Sequence, residues 1–251
     1  MARASRSTVP LNRALSKLGI LSRAEATEAI RAGRVSVNGK VVRQPLAPVV
    51  PERTDIRVDG VARARQAWRT ILFHKPRGVL TTRRDPEGRA TIYDLLGEAA
   101  RGLIAVGRLD RATSGLLILT NDTQLANRLT DPANQLPRVY VVTVRGEVTR
   151  EQCELLEIGV TSGGERVHAA AVTIRKSSSR ESHLTVELRE GRNREVRRLF
   201  EAIGHEVTRL KRMRFGPLEL GSLAPGDWRP VAKLELASLE ARHAKLEARH
   251  R

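Results

Sequence analysis

Apolar residues recur every three or four positions between residues 11 and 18, the spacing that places them on one face of an α-helix. Ser22 and Glu25 follow, three residues apart, and this pair is the capping-box pattern that begins a helix. Gly33 stands where this second helix should end, because glycine is common just past a helix C-terminus. The chain is therefore predicted to start with two short helices.

The apolar pattern changes to alternation after Gly33. Residues 35–37 and 40–42 are rich in valine, and Asn38-Gly39 separates them. Asn-Gly between two such runs is the strongest short-range indication of a β-hairpin. Residues 56–58 predict a further strand, so two helices, a hairpin and a strand should form one compact unit.

Beyond residue 69, short aliphatic runs predict buried strands, and segments with helical spacing lie between them. The predicted strands cover residues 70–73, 103–106, 116–119, 139–144, 167–174 and 184–188. The predicted helices pass through residues 125–129, 149–159 and 190–203, and residues 92–96 are either a short helix or extended. Residues 74–78 are predicted to form a basic turn and residues 81–89 a polar loop.

One polar loop lies between the two aliphatic strands at residues 103–106 and 116–119. It contains a single carboxylate, Asp110, flanked by Arg108 and Arg111. A loop between two rigid strands can present a reactive group. Asp110 can equally be a turn residue whose side chain bonds its own backbone, and the sequence pattern leaves both interpretations open.

The charge of the chain indicates a polyanionic partner. The 251 residues include 45 basic and 28 acidic side chains, for a net charge of +17. Nucleic acid is the first candidate for such a partner. With one cysteine the chain has no internal disulfide and no thiol metal cluster, and we expect a soluble cytoplasmic protein because no apolar run approaches membrane-spanning length.

The basic residues cluster in two regions. Residues 1–60 carry eleven basic and five acidic side chains, and residues 189–214 carry nine and four. In the predicted helix of the second cluster, Arg197 lies beside the apolar stripe, while Arg194 and Arg198 lie on the far side. An arginine at the edge of a buried face usually has a carboxylate partner, but Arg197 can also be a surface phosphate contact.

The first basic cluster resembles a known RNA-binding module. The residues from Leu11 to Ala26, followed by Gly33 to Lys40, are similar to the alpha-L module shared with a small-subunit ribosomal protein. The resemblance covers about residues 9–60. Modules of this family hold structured RNA through the second helix and the adjoining loop, which implies RNA contacts at Ser22, Arg23, Arg31, Arg34 and Lys40.

The rest of the chain resembles pseudouridine synthases of the RsuA and RluB type. The run from Gly107 to Leu117 is similar to the signature of that family. Further similar motifs follow the family's order at residues 74–79, 85–89, 191–199 and 209–218. The match extends from about residue 9 to residue 232, and its motif forms favour the large-subunit, RluB-like branch. This branch modifies uridine in ribosomal RNA.

The resemblance implies roles for three residues. The reaction breaks the uracil N1–C1′ bond, turns the base and joins C5 to C1′, with no metal or other cofactor. It needs an ionised carboxylate, which by motif position is Asp110, and Arg197 is the guanidinium that favours the ionised form. Tyr140 matches the family's active-site tyrosine and would receive the base once it has left its stack.

Further residues are implied to contact the RNA. Arg108 could fill the gap left by the flipped base, and Leu210 could pack beneath that base. Arg138 stands where lysine is common in the family. The remaining RNA contacts implied by the motifs are Lys75, Arg77, Arg138, Arg192, Arg194, Arg198 and Lys211.

We predict an α+β protein with a mixed, mainly antiparallel sheet flanked by helices in its catalytic domain. The predicted parts are a flexible basic segment (1–9), the RNA-binding domain (10–60), a linker (61–69), the catalytic domain (70–232) and a basic helical or disordered tail (233–251). The predicted activity is isomerisation of uridine in ribosomal RNA by a monomer. The rival hypothesis is a non-catalytic ribosome-assembly factor, which explains the charge but not the combination of Asp110 and Tyr140.

Overall fold

The computed structural model describes residues 8–51, 53–62 and 67–239. Most of the predicted flexible segment, the middle of the predicted linker and the end of the predicted tail lie outside the described residues. The chain divides into two compact units. One comprises residues 1–69 with 102–104 and 120–125, and the other comprises residues 70–101, 105–119 and 126–251.

The N-terminal part of the first unit is built from two helices and short antiparallel strands. Its elements are α1 (Leu11–Lys17), α2 (Arg23–Arg31), β1 (Val9–Pro10), β2 (Val35–Val37), β3 (Lys40–Val41), β4 (Pro48–Val49), β5 (Ile56–Val58) and β6 (Val61–Ala62). Strands β3-β2-β5-β6 form one sheet in that order, and β1 pairs with β4. The helices bury Leu11, Leu15 and Ile30 against Val35 and Val58 of this sheet, so the aliphatic side chains form a small core.

Two local predictions for this unit are confirmed. The Ser22 hydroxyl accepts a hydrogen bond from the Glu25 N–H at 3.2 Å, and the Glu25 carboxylate accepts one from the Ser22 N–H at 2.8 Å. Asn38 and Gly39 connect β2 to β3 with φ values of 50° and 80°, the positive angles that a two-residue hairpin turn requires.

One prediction at the end of this unit was wrong. Val61 and Ala62 were assigned to a linker, but they form β6 and pair with β5. The turn that joins the two strands uses Asp59 and Gly60, with φ values of 56° and 74°. Cross-strand hydrogen bonds thus continue past the residues that the alternation pattern identified.

The remaining elements form a large mixed sheet with helices. They are β7 (Thr70–Lys75), α3 (Ile92–Leu96), β8 (Ile104–Val106), β9 (Ser114–Thr120), α4 (Thr123–Thr130), β10 (Arg138–Arg145), α5 (Arg150–Ile158), β11 (Val160–Ser162), β12 (Glu165–Val167), β13 (Ala171–Ser177), β14 (Glu181–Leu188), α6 (Glu195–Ala202), β15 (Val207–Phe215), β16 (Leu218–Glu219) and β17 (Trp228–Pro230). Among the described residues, nine strands share one sheet in the order β13-β14-β10-β15-β9-β7-β17, with β8 on β9 and β16 on β15.

The sheet confirms the predicted α+β class. Strand β10 is antiparallel to both β14 and β15, whereas β15 is parallel to β9. Tyr140, Val142 and Val144 alternate along β10 and are buried on one face of the sheet. Helix α5 packs against β13 and α6 against β15. Strand β9, which follows the Asp110 loop, pairs in parallel with β15. Strands β15 and β10 carry the buried arginines Arg212 and Arg138.

Several elements differ from the predictions. His74 and Lys75 were assigned to a turn, but both complete β7 and are buried. Residues 167–174, expected as one strand, comprise the last residue of β12, a connection at residues 168–170 and the start of β13. Strand β15 was not predicted, because Arg209, Lys211, Arg212 and Arg214 interrupt the apolar alternation that indicates a strand. No helix in the described ranges is long and apolar enough to cross a membrane.

Candidate active site

A cavity of about 360 Å³ opens beside the loop that carries Asp110. The loop provides residues 107–110, β10 provides Arg138 and Tyr140, and β15 provides Leu210, Arg212 and Phe215. The segment that leads into α6 completes the wall with residues 190–192 and 194–196. Ligand sites commonly have this volume and combine apolar walls with a few polar groups.

Lys75 anchors the Asp110 loop from beneath. Its ammonium donates hydrogen bonds to the carbonyls of Pro76 at 3.1 Å, Asp110 at 3.1 Å and Thr113 at 2.8 Å. The side chain is completely buried. Burial lowers the pKa of Lys75 to about 8, against the opposing attraction of Asp110. Lys75 was expected to contact RNA, and this expectation is corrected, since its charge serves the loop from inside the protein.

Thr81 and Gly78 hold the same loop from its other side. The Thr81 hydroxyl donates to the Leu109 carbonyl at 2.8 Å and accepts from the Leu109 N–H at 3.3 Å. The Gly78 N–H donates to the Arg111 carbonyl at 2.7 Å. Asp110 therefore sits in a loop whose backbone is bonded on both sides of the carboxylate, which limits its movement.

Gly115 allows β9 to lie directly against β15. A Cβ atom at this position would be 2.2 Å from the Arg212 carbonyl oxygen and 2.5 Å from the Arg212 nitrogen. Gly115 has φ +107°, an angle that other residues rarely adopt. The close approach also lets Arg212 donate from Nε to the Leu116 carbonyl at 2.7 Å. The glycine of the signature motif thus brings the Asp110 loop to β15.

Tyr140 reaches the cavity from the neighbouring strand. In the β10–β15 pair Tyr140 is opposite Arg212, and in the β10–β14 pair it is opposite Val186. Its side chain is 8% exposed and lines the same cavity as Asp110. The structure therefore brings together these two predicted residues, which are thirty positions apart in the chain.

Two buried arginines form the inner wall near Phe215. The guanidinium carbons of Arg138 and Arg212 lie 4.8 and 5.2 Å from the centre of the Phe215 ring, within the range of cation–π contacts. Arg138 donates to the carbonyls of Leu136 at 3.1 Å and Arg189 at 3.3 Å. Burial lowers the pKa of Arg138. The Arg138 side chain is therefore buried, and only a ligand inside the cavity can contact it.

In the structure, Asp110 forms an ion pair with Arg194 and not with Arg197. The Nη1 atom of Arg194 lies 3.9 Å from Oδ2 of Asp110. Arg197 donates from Nη1 to the Val207 carbonyl at 2.8 Å, and its Nε and Nη2 atoms are buried without a hydrogen-bond partner among the described residues. Burial and repulsion from Arg194 lower the pKa of Arg197, while attraction to Asp110 raises it. Arg197 is thus near enough to interact with Asp110 electrostatically but is not part of the cavity wall.

Glu195 is a buried carboxylate for which the sequence motifs implied no role. Its side chain is 3% exposed and lines the cavity. Its Oε2 atom accepts from the Arg192 N–H at 3.1 Å. Burial raises the pKa of Glu195, and the hydrogen bond from Arg192 opposes that rise. The glutamate therefore closes the turn that leads into α6.

Two of the expected RNA contacts attach the β11–β12 hairpin to the α6 segment. Arg192 donates to the Arg166 carbonyl at 2.9 Å and also pairs with Glu190. Arg198 donates to the Ser162 carbonyl at 2.6 Å and to Glu165 at 3.0 Å. Both guanidinium groups are already bonded within the protein, so the structure offers them an internal role in addition to the expected one.

The other residues expected to contact RNA differ in accessibility. Arg77 and Arg108 are exposed, and Arg108 lines the cavity. Lys211 is half-buried, and Leu210 is buried in the cavity wall. In the first unit the exposed side chains are Arg23, Arg31, Arg34 and Lys40, while Ser22 is half-buried. Arg34 also pairs with Asp59 at 2.6 Å, and the Ser22 hydroxyl is engaged in the helix cap.

Within the described ranges, no group of three or more histidine, cysteine, aspartate or glutamate side chains could hold a metal ion. The polar groups in the cavity wall that carry charge are arginines, Asp110, Glu190 and Glu195. This set suits an anionic, hydrogen-bonding ligand, because guanidinium groups bind phosphate and carbonyl oxygens well.

Comparison with known proteins identifies two regions. Residues 69–202 match the model of the RNA pseudouridylate synthase family, and residues 9–52 match the S4 domain. The chain is 38% identical over 233 residues to ribosomal large subunit pseudouridine synthase B of Bacillus subtilis, a match covering 92% of this chain and 95% of that protein. It is 43% identical over 237 residues to the protein of the same name in Escherichia coli K12, covering 90% and 79%.

A solved structure supports the same relationship. A crystal structure of a pseudouridylate synthase superposes with a TM-score of 0.66 at 27% sequence identity, covering 92% of this chain and 99% of that one. The S4 match falls within the region where sequence motifs indicated an RNA-binding module. The chain belongs to the RNA pseudouridylate synthase family and carries an S4 domain ahead of the region that matches it.

Proposed function

We propose that this protein converts uridine to pseudouridine in large-subunit ribosomal RNA, with Asp110 as its reactive carboxylate. The observation that carries the proposal is the shared cavity of Asp110 and Tyr140, in a chain of this family. The large-subunit substrate is inferred from the names of the relatives.

Asp110 suits the role of nucleophile or general base. Its side chain is 37% exposed, and it interacts with the cationic side chains of Arg194, Lys75 and Arg197. Either role requires the ionised carboxylate. In the reaction the N1–C1′ bond breaks and a C5–C1′ bond forms. The proton leaves C5 and a proton is gained at N1, so substrate and product are isomers.

Tyr140 and Leu210 suit the binding of a flipped base. A uridine in structured RNA must leave its stack before a protein group can reach C1′. The Tyr140 ring and the Leu210 side chain line the cavity from adjacent strands. A base that enters would meet an aromatic surface and an aliphatic one, and the Tyr140 hydroxyl could transfer a proton during the rearrangement.

Arg197 suits a supporting electrostatic role on the carboxylate. Attraction to Asp110 raises the pKa of Arg197, against the larger lowering by burial. Two nitrogen atoms of Arg197 have no hydrogen-bond partner among the described residues. Arg108 lies exposed at the cavity and is suited to contact the RNA that surrounds the flipped nucleotide.

The S4 domain supplies a second RNA-binding surface in this proposal. Its exposed arginines and lysine, Arg23, Arg31, Arg34 and Lys40, are suited to phosphate contacts. We assign this domain to residues 10–60 and the catalytic domain to residues 70–232. The protein would act as a monomer in the cytoplasm, where its ribosomal RNA substrate is found.

The test is to map pseudouridines in ribosomal RNA from cells that contain the wild-type protein, Asp110→Asn or no protein. We expect one or more large-subunit pseudouridines to require the wild-type protein and to be missing with Asp110→Asn. The purified variant should still bind the RNA, because the substitution conserves shape and removes only the charge. Pseudouridine that persists with Asp110→Asn would support a non-catalytic assembly factor instead.

A further inference from the structure

Two buried arginines of the cavity wall have backbone carbonyls as their hydrogen-bond partners. Arg138 is 6% exposed and donates from Nη1 to the carbonyls of Leu136 and Arg189. Arg212 is 3% exposed and donates from Nε to the Leu116 carbonyl, and its Nη2 atom is buried without a hydrogen-bond partner among the described residues. No carboxylate in the described part of the chain lies within ion-pair distance of either guanidinium. A buried charge is costly unless a counter-charge or hydrogen bonds compensate it.

The two guanidinium groups share one aromatic neighbour. The guanidinium carbons of Arg138 and Arg212 lie 4.8 and 5.2 Å from the centre of the Phe215 ring. Burial lowers the pKa of Arg138, and repulsion from Arg212 adds to this effect. Attraction to Tyr140 and Glu195 opposes it without cancelling it. The two cations therefore repel each other, and an anion in the cavity beside them would relieve that repulsion.

The register of β10 and β15 places both arginines beside Tyr140. Arg212 is directly opposite Tyr140, and Arg138 precedes Tyr140 by two positions on the same strand. Residues two apart on a strand, and residues directly opposite each other on paired strands, lie on the same face of a sheet. All three residues line the cavity. A base that lies on the Tyr140 ring would therefore have a guanidinium group on each of two sides.

The depth of Arg138 and Arg212 favours the base over the RNA phosphates as their ligand. A flipped base enters its pocket, whereas its phosphates remain part of the RNA backbone. Two exposed arginines at the cavity, Arg108 and Arg194, are better placed for phosphate contacts. Uracil offers its carbonyl oxygens O2 and O4 as acceptors, and guanidinium groups are strong donors to such oxygens.

Uracil becomes an anion when it leaves the sugar. Heterolysis of the N1–C1′ bond leaves the bonding electron pair on the base, and resonance spreads the negative charge over N1, O2 and O4. The sugar carbon C1′ is left electron-poor until C5 bonds to it with an electron pair of the ring. C5 then loses its proton and N1 gains one, so the product is an isomer of the substrate. Donors that are already fixed around a developing charge lower the barrier, because they stabilise the transition state more than the neutral substrate.

We propose that Arg138 and Arg212 are catalytic residues that stabilise the uracil anion once the N1–C1′ bond has broken. Both guanidinium groups carry a permanent charge and would donate hydrogen bonds to the base oxygens on which the negative charge develops. This inference rests on the proposed function, because it requires a target uridine on the Tyr140 ring.

5-Fluorouridine at the target position tests the proposal. The fluorine withdraws electrons from the ring, so the detached base anion is more stable by itself and needs the arginines less. The rate constant is measured as single-turnover disappearance of the target nucleoside, at saturating protein, in RNA that carries uridine or 5-fluorouridine. Arg138→Met should lower the rate constant for uridine about a hundredfold and that for 5-fluorouridine at least about threefold less. Arg138→Lys keeps the charge and should keep the wild-type ratio of the two rate constants.

The ratio of the two rate constants is measured within one protein, so it does not depend on how much of a variant is folded. Arg138→Gln and Arg212→Gln give a second measurement, because their amide groups can still donate to backbone carbonyls while the charge is lost. Both variants should raise the ratio of the rate constant for 5-fluorouridine to that for uridine. Arg214→Met is the matched control. Arg214 belongs to the same strand as Arg212 but lines a separate cavity with Val139, so its removal should leave the ratio unchanged.

A wild-type ratio in Arg138→Gln or Arg212→Gln overturns the proposal for that residue. Weaker RNA binding with an unchanged single-turnover rate constant for uridine also overturns it, and would identify the arginine as a phosphate contact. The two hypotheses fail in different ways. A wild-type protein that forms no pseudouridine would refute the proposed function, whereas normal pseudouridine formation with unchanged ratios in the variants would refute the role of these arginines alone.

Discussion

Gly115→Ala tests the close approach of β9 and β15, which joins the Asp110 loop to the strands of the cavity wall. The added Cβ would lie 2.2 Å from the Arg212 carbonyl oxygen, whereas ordinary contacts begin near 3.4 Å. The two strands would have to separate by about 1 Å, enough to stretch a hydrogen bond of ordinary length beyond its useful range. Because the obstructing atoms belong to the backbone, no side-chain rotation can relieve the clash.

The expected cost combines two effects. An alanine with φ near +107° costs about 1–3 kcal/mol in backbone strain. Overpacking a filled site costs about another 1–3 kcal/mol. A total of about 4 kcal/mol lowers the melting temperature of a chain this long by about 8–16 °C.

Gly226→Ala is the matched control. Gly226 has φ +91°, close to the value at Gly115, but a Cβ there would meet nothing within 4 Å. This variant should lose about 2 kcal/mol, or about 4–8 °C, from backbone strain alone. Differential scanning calorimetry compares the two variants. Equal losses would refute the conclusion that contact between β9 and β15 explains the glycine at position 115.

Two further predictions concern protonation and helix capping. Lys75 has a folded-state pKa of about 8 and an ordinary value of 10.5, so above pH 8 the unfolded chain binds the additional proton and the stability of the wild type rises with pH. Urea denaturation measures the unfolding free energy of the wild type and of Lys75→Met. Between pH 8 and 10.5 the difference between them should change in favour of the wild type by up to about 3 kcal/mol. A difference that does not depend on pH would exclude a buried, titrating Lys75. Ser22→Ala removes the hydroxyl that caps α2 and should cost about 1 kcal/mol, whereas Ser22→Asp should restore most of the loss, and thermal unfolding measures both.

Short-range patterns predicted the local structure well. The Ser22–Glu25 pair specified where α2 begins, and Asn38-Gly39 specified the turn between β2 and β3. Both depend on residues within three positions of each other, and the backbone conformation they favour is largely independent of the rest of the chain. The aliphatic runs around Asp110 likewise predicted β8 and β9.

Strand β15 shows where such patterns fail. Arg209, Lys211, Arg212 and Arg214 lie in it, and their charge conceals a strand in which Arg212 is nevertheless buried. A buried arginine is stable only with partners, here the Leu116 carbonyl and the Phe215 ring. The Leu116 carbonyl lies 96 positions away from Arg212 in the chain, so a local sequence pattern cannot predict this hydrogen bond.

The candidate site divides in the same way. The sequence by itself indicated Asp110 and Tyr140 through the resemblance of its motifs to a known family, because a motif is a short stretch whose residue types can be compared directly. Only the tertiary structure decided that Lys75 is buried beneath the loop and that Arg194, in a left-handed conformation, is the cation paired with Asp110. The physical reason is that the burial and pairing of a long cationic side chain depend on which distant backbone and carboxylate atoms the fold brings within reach.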